Sequence, residues 1–246
     1  MNTIIPNLIS CIMPTYGRPD FVSESVTMFL NQDDPEKELI VFNDCVEQTY
    51  SCEHPEVRVF NFDTRFATLG EKRNAAIEVS RGGFLAVWDD DDAYLPWRLS
   101  YCREKIREFT TEFYRPADFL AYWGDGPLHN NHSIPGWIGH PLTMFTRDLW
   151  ESVGGYPAKD LAEDEVFFQK VHQKLCHEFV KYPIAPQDRF MIMRGKSHYK
   201  HMSIKGGENP LDTKRGHYEI RRQEIADESL LEKFRERIDL HNQGKV

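Results

Sequence analysis

The apolar run Phe84-Leu85-Ala86-Val87-Trp88 stops in four successive carboxylates, Asp89-Asp90-Asp91-Asp92, and this constrains the chain more than any other feature. Carboxylates about 4 Å apart repel by roughly 4 kcal/mol per pair at an effective dielectric near 20, so a cluster ending a buried strand needs positive charge beside it. Hard divalent cations such as Mg2+ or Mn2+ take oxygen ligands, and Mg2+ sites combine one or two carboxylates with substrate phosphates and water. A metal-bridged phosphate ligand is therefore the first expectation. Isolated acidic runs are usually solvated turns, but this one directly follows a strand-like apolar stretch.

The preceding residues supply a frame for it. Leu8 to Met13 reads as a buried strand, ended by Pro14-Thr15-Tyr16-Gly17-Arg18-Pro19. A helix should follow, with Val22, Val26, Phe29 and Leu30 on one face and Asp20 as its cap. Glu38 to Phe42 is a second strand ending at Asn43-Asp44, and Val57 to Phe62 a third. Gly70-Glu71-Lys72-Arg73-Asn74 opens a helix that packs Ala75, Ala76, Ile77 and Val79 and stops at Arg81-Gly82-Gly83. Such alternation predicts an α/β fold with a largely parallel sheet, whose ligands collect outside the carboxyl ends of the strands. Pro14 to Tyr16, Asn43-Asp44 and Asp89 to Asp92 should then share one crevice.

Farther along, Leu99 to Phe113 reads as helix, Phe119 to Trp123 as strand, Gly124 to Gly139 as loop and Pro141 to Phe145 as strand. Asp164 to Leu175 is an amphipathic helix with Val166, Phe167, Val171 and Leu175 inward. Gly206 to Pro210 reads as a linker and Tyr218 to Leu240 as a charged helical tail.

A length of 246 residues suits one large α/β domain. The net charge of −9 gives no general attraction to nucleic acid or anionic membrane. Met1 to Leu8 lacks the pattern of a signal peptide, and no segment approaches the ~20 apolar residues that span a bilayer. Five cysteines without a Cys-x-x-Cys pair favour reduced thiols packed as small apolar residues, which makes the cytoplasm the default compartment.

The order of these motifs resembles the inverting family 2 glycosyltransferases, enzymes of the GT-A fold that use nucleotide sugars. The resemblance rests on Pro14-Thr15-Tyr16-Gly17-Arg18, Asn43-Asp44, Gly70-Glu71-Lys72-Arg73-Asn74-Ala75-Ala76, Asp89 to Asp92 with Tyr94-Leu95-Pro96-Trp97-Arg98-Leu99, Gly154-Gly155-Tyr156-Pro157, and Glu163-Asp164. It implies a Rossmann-like nucleotide-sugar-binding domain with a mostly parallel central sheet flanked by helices. The expected division is a GT-A domain over 1–205, with a donor-binding half over about 1–100 and an acceptor-binding half over about 101–205, then a linker and helical tail over 206–246.

The same resemblance implies roles. Asp44 hydrogen-bonds the nucleotide base, Pro14, Thr15 and Tyr16 lie beside base and ribose, and Arg18, Lys72 and Arg73 belong to the donor site. Asp89 and Asp91 are the outer members of an Asp-x-Asp motif. Asp91 is the direct metal ligand, Asp89 a second one, and Asp89 or Asp90 is the alternative contact to ribose or sugar. Mn2+ or Mg2+ is the cofactor, a UDP-sugar the favoured donor, and a hydroxyl-bearing glycan or glycoconjugate the expected acceptor, a nucleic-acid acceptor being disfavoured by the acidic charge. Asp164 is the general base and Glu163 its neighbour on the acceptor side. His198 and His201 sit in a segment similar to the family's late loop over the donor, where either could meet metal or phosphate.

Plainer readings compete at several positions. Lys72 and Arg73 also fit a solvated helix face. Asp164 also fits helix capping, and a first-turn carboxylate is favoured as the anion, which works against basicity. His129, His132 and His140 read as exposed or hydrogen-bonded loop histidines. Trp123 and Trp137 suit either an acceptor platform or a core, and Gly154-Gly155 either room for the acceptor or a turn. The rival function is a catalytically inactive nucleotide-sugar-binding protein of the same fold. An aspartate-rich prenyl transferase and an Asp-x-Asp-x-Thr phosphatase both fail at Ala93, which follows the four aspartates.

Overall fold

The first strand is buried without a break from Ile9 to Thr15, and its side chains alternate between two cores. The computed structural model describes residues 3–122, 129–132, 139–175, 182, 184–194, 224–225, 232 and 236. In chain order the elements are β1 (Ile5–Thr15), α1 (Pro19–Leu30), β2 (Lys37–Asn43), β3 (Val57–Asn61), α2 (Leu69–Val79), β4 (Gly82–Val87), β5 (Ala93–Tyr94), α3 (Arg98–Glu108), β6 (Phe113–Tyr114), β7 (Asp118–Tyr122), β8 (His129–His132), β9 (Met144–Thr146), α4 (Arg147–Ser152), α5 (Glu163–Leu175), β10 (Met191–Arg194) and β11 (Glu224–Ile225). Ile9, Cys11 and Met13 of β1, with Leu39 and Val41 of β2, join one core that includes Val22 and Phe29 of α1 and Leu99, Cys102 and Ile106 of α3. Ile12, Ile40 and Phe42 join the other, with Ala76 and Ile77 of α2 and Phe167, Phe168 and Val171 of α5. A parallel sheet buried on both faces needs helices on both.

The six-stranded sheet has the order β3-β2-β1-β4-β9-β6. Its first four strands are parallel, with Thr15 paired to Asn43, Asn43 to Asn61, and Ile12 to Val87. Their carboxyl ends therefore fall along one edge. β9 runs antiparallel to β4, pairing Phe145 with Leu85, and β6 is antiparallel to β9. The smaller sheet, β11-β8-β7-β10-β5, begins in chain order at Ala93, directly after the acid run.

Several sequence boundaries shift for local reasons. Asp20 does not cap α1. Pro19 occupies the helix start, Arg18 stands at the cap position without a side-chain cap bond, and Asp20 lies in the first turn. Helix α2 starts earlier than its glycine, because the Thr68 side chain accepts from Glu71 N at 3.2 Å and its hydroxyl donates to Glu71 Oε2 at 3.0 Å. It ends at Ser80 rather than at the glycines, which instead open β4. Helix α3 stops at Glu108, so that Phe113 enters β6. Residues 129–132 of the expected loop form β8, and the expected strand at Pro141 begins as a 3-10 turn over His140–Leu142. On α5 Phe168 joins the buried face while Val166 is only half-buried. Of the expected helical tail, Glu224–Ile225 form a strand against β8, and Glu232 and Glu236 are helical. The linker at Gly206 to Pro210 lies outside the described residues.

Two contacts lock α2 into place. Arg147 reaches its carboxyl end, donating from Nη2 to Ser80 Oγ at 2.6 Å and Ile77 O at 3.2 Å and from Nε to Gly82 O at 2.9 Å. A guanidinium there satisfies carbonyls that the last helical turn leaves open. At the amino end Gly70 packs so closely on the 157–159 segment that a Cβ would lie 1.8 Å from Pro157 O. Gly70→Ala should therefore destabilise the fold by about 1–3 kcal/mol through overpacking against backbone. Denaturant unfolding curves that superimpose on the wild type would show that this approach carries no such constraint.

Candidate active site

Each strand end contributes a side chain to the shared edge. Thr15 closes β1 and donates from Oγ1 to Asp90 Oδ2 at 2.5 Å. Asp44 follows β2 and is almost wholly buried, accepting from Lys72 Nζ at 2.5 Å through Oδ1 and from Phe66 N at 3.0 Å through Oδ2. Lys72 also donates to Thr15 O at 2.6 Å, so one ammonium ties β1, β2 and α2 together. Burial drives the Lys72 pKa down while Asp44 opposes the shift. Asn43 beside it arranges the turn instead of adding charge, donating to Gln48 O at 2.7 Å and Asn61 Oδ1 at 3.0 Å and accepting from Cys45 N at 3.1 Å. Tyr16 is half-buried with the Arg65 guanidinium 4.4 Å from its ring centroid, a cation–π distance.

The acid run turns away from β4 and gathers cations. Arg18 Nη2 lies 2.9 Å from Asp90 Oδ1, and its Nη1 lies 2.7 Å from Asp91 Oδ2. Burial works against the Arg18 charge, but Asp90 and Asp91 outweigh it and raise its pKa. Asp90 is the most deeply placed of the four acids. Burial outweighs the Arg18 contact and, with Asp91 adding repulsion, raises the Asp90 carboxyl to about 7. Asp89 is likewise pushed up by burial while Arg73 pulls it back. Beneath the turn, Asp89 N donates to Tyr94 Oη at 3.0 Å. Arg98 donates to Val87 O and, at 2.7 Å, to Pro141 O, with its guanidinium 4.0 Å from the Tyr94 ring centroid.

Arg73 joins this edge to α5. Its Nη1 and Nη2 lie 3.4 Å from Asp89 Oδ1, and its Nε donates to Glu163 Oε1 at 3.3 Å. Burial opposes the guanidinium charge, but Asp89 and Glu163 outweigh it and keep Arg73 protonated. Burial pushes the Glu163 carboxyl up, with Arg73 opposing and Asp164 reinforcing. Asp164, half-buried in the first turn of α5, accepts from Glu165 N at 2.8 Å. Asn74 positions the chain leading there, donating to Tyr156 O at 2.8 Å and accepting from Tyr156 N at 2.9 Å and Trp150 Nε1 at 3.2 Å. Gly154 and Gly155 both take positive φ, +72° and +65°, and a Cβ on Gly155 would lie 2.7 Å from Asn74 Oδ1. They form a turn fitted to Asn74. His140 is buried and hydrogen-bonded, its Nε2 2.9 Å from Tyr156 Oη, and burial holds its pKa well below the usual histidine range.

Thr15, Arg18, Asp44, Lys72, Arg73, Asp89, Asp90, Asp91 and Glu163 thus form one connected set, with Asp164 next along the chain from Glu163. The solvated-face reading of Lys72 and Arg73 fails, since they are 5% and 7% exposed. Trp123, Trp137, His198 and His201 lie outside the described residues. Tyr94, Arg98 and Asn74 support the site although no role was read for them from sequence. The available signal was their place inside the Tyr94 to Leu99 and Gly70 to Ala76 motifs. Among the described residues no three His, Cys, Asp or Glu side chains group so as to hold a metal unaided. Asp91 and Asp89 fit a site of the one-or-two-carboxylate kind, and the cation already drawn onto Asp91 is a guanidinium standing where positive charge is wanted.

The family model described as Glycosyl transferase family 2 matches residues 10–153. Chondroitin synthase from Escherichia coli is 22% identical over 166 residues, 61% of this chain and 24% of that protein. The chain spans between 24% and 56% of the length of six curated relatives it matches. S. aureus TarS 1-349 in complex with UDP-GlcNAc superimposes with a TM-score of 0.60 at 17% identity, covering 80% of this chain and 62% of that one. The mannosyltransferase PcManGT from Pyrobaculum calidifontis, in complex with GDP-Man and Mn2+, gives a TM-score of 0.53 at 16% identity, covering 79% and 60%. The fold is that of the GT-A glycosyltransferases.

The raised Asp90 carboxyl has a pH signature. The folded chain holds a proton there up to about pH 7, whereas an unfolded aspartate releases it near pH 3.9. Its contribution to stability is therefore full below about pH 4 and lost as the pH rises through about 7. In metal-free buffer the thermal midpoint should fall across this window, and Asp90→Asn should remove that part of the slope, at most about 1.4 kcal/mol per pH unit for one proton. Equal slopes for the two proteins would reject the assignment.

Proposed function

The chain belongs to glycosyl transferase family 2, and on that premise we propose that it is a metal-dependent inverting enzyme that moves a sugar from a UDP-sugar to a hydroxyl acceptor. The observation that carries this reading is the Arg73 guanidinium, which meets Asp89 on one side and Glu163 on the other. It holds the acid turn and the start of α5 against one crevice, as transfer between two bound molecules requires. Proximity of this kind converts a two-body reaction into one within a complex.

On this reading Asp44 and the Thr15–Tyr16 turn receive the nucleoside. With its two oxygens already accepting from Lys72 and Phe66, Asp44 is fixed in direction before any base arrives. Asp91 and Asp89 are the metal donors, and Mn2+ or Mg2+ bound there supplies Lewis-acid stabilisation of the departing diphosphate. Asp164 takes the proton of the acceptor hydroxyl. The freed oxygen lone pair attacks the anomeric carbon from the face opposite the diphosphate, the bond from that carbon to the phosphate oxygen breaks with its electrons, and the configuration inverts. Glu163, the residue before this base, is held by Arg73 at 3.3 Å, which fixes the start of α5 on which Asp164 sits.

The donor class is supported by the UDP-GlcNAc and GDP-Man complexes of the two structural neighbours, and metal use by the Mn2+ in one of them. The acceptor half, the late histidines His198 and His201, and the tryptophan platform at Trp137 belong to the same proposal. Cytoplasmic action on a glycan or glycoconjugate belongs to it too; among the described residues no helix is long and apolar enough to cross a membrane.

Two variants separate donor binding from chemistry. Asp91→Ala should abolish Mn2+-dependent stabilisation by UDP-sugars, which for the wild type reaches about 2.7 kcal/mol at a hundredfold excess over Kd. Asp164→Asn should keep that stabilisation and lose transfer by about 10²- to 10⁴-fold, the usual worth of a general base. Undiminished turnover in Asp164→Asn would overturn the base assignment, and donor binding without turnover in the wild type would favour a silent binder.

A further inference from the structure

Three cations serve the acidic edge, and their commitments differ. Lys72 is spent on Asp44 and Thr15 O, and Arg73 on Asp89 and Glu163. Arg18 spans Asp90 and Asp91 with the two ends of one guanidinium, at 2.9 Å and 2.7 Å. Its backbone is fixed by the start of α1, where its carbonyl accepts from Val22 N at 3.1 Å, yet its side chain makes no capping bond to the helix. Gly17, at φ +67°, turns β1 so that this side chain falls back over the acids. The guanidinium is therefore committed to charge balance and not to the helix.

We propose that Arg18 is a resident counter-ion, which holds the acid turn in the donor-free protein and which a divalent cation must displace from Asp91 before that carboxylate can ligate it. This inference rests on the metal and diphosphate reading given above. Asp91 Oδ2 is the oxygen Arg18 occupies, and a guanidinium and a metal ion cannot share one carboxylate oxygen without strong mutual repulsion. The exchange is sterically open, because the side chains of Arg18 and Asp91 are 15% and 21% exposed while that of Asp90 is 1% exposed. Asp90, with Thr15 still donating to it, keeps the turn in place as Arg18 leaves.

A displaced guanidinium seeks another planar anion, and a diphosphate beside the turn offers two oxygens to its fork. Nucleoside diphosphate should thus lower the cost of metal entry, and metal should lower the cost of donor entry, through the same side chain. Such coupling is reciprocal by thermodynamic necessity.

The test is a Mn2+ titration followed by electron paramagnetic resonance of the free ion, with and without UDP, on wild type, Arg18→Gln and Arg18→Lys. Without nucleotide, Arg18→Gln should bind Mn2+ about tenfold more tightly, the equivalent of one competing charge-assisted contact removed. Its metal-free thermal midpoint should fall. Arg18→Lys, which keeps the charge but loses the fork, should lie between the two, and it decides the matter if the Gln variant does not fold. UDP should strengthen Mn2+ binding more in the wild type than in either variant. A merely structural arginine predicts the opposite sign, since its loss would loosen the site. Unchanged or weaker Mn2+ affinity in the variants, beside a wild type that binds Mn2+ with UDP, overturns the counter-ion role and leaves the transferase reading standing. No Mn2+ bound by wild type even with UDP overturns both.

Discussion

Charge balance at the carboxyl edge of the parallel sheet is the constraint on which the site depends. Asp44, Asp89, Asp90, Asp91 and Glu163 come within reach of Lys72, Arg73 and Arg18 in a space largely shut off from water. Mutual repulsion among these acids would open the edge in the absence of the cations, and desolvation would neutralise the acids in the absence of strong pairing. The compromise is visible in Asp90, whose proton affinity is raised despite a guanidinium beside it. Acid remains in excess over base among these side chains, which is the condition under which a divalent ion gains most from entering.

Helix α2 distributes that balance. Of the five residues from Gly70 to Asn74, four make contacts that join separate parts of the chain. Gly70 lets the helix touch the 157–159 backbone, Lys72 binds Asp44 and Thr15, Arg73 spans Asp89 and Glu163, and Asn74 clamps Tyr156. The strand ends of the parallel sheet and the segment leading into α5 are thus aligned by one helical turn, itself held at its far end by Arg147. The helix has a weakly apolar face because so many of its positions are spent on polar reach.

This division explains what could be read in advance. The parallel core was legible because β1, β2 and β4 are short apolar runs with polar ends, and their register follows from alternate burial on two faces. The meeting of Asp44, Thr15 and Asp89 to Asp91 at one edge followed from the parallel direction of those strands, whose carboxyl ends lie together. The antiparallel direction of β9, whose strand is read over Pro141 to Phe145, and the two-residue strands β5 and β6 were not legible, since pairing so short leaves no periodicity and depends on a neighbour supplied by distant sequence. Asn74 and Arg98 were hidden for another reason: a buried polar side chain reveals its purpose only through the carbonyls and amides that close on it. Asp20 misled because a good capping residue one position inside a helix that starts with proline looks, in sequence, like the cap itself.

Tyr94 belongs to two structures at once. It pairs with Met191 in the smaller sheet, and its hydroxyl takes the backbone N–H of Asp89 at the end of the larger one. The carboxylate turn is therefore slung between two sheets through a single phenol ring instead of hanging from a free loop. Its stiffness is borrowed from both, so sliding either sheet re-aims the aspartates.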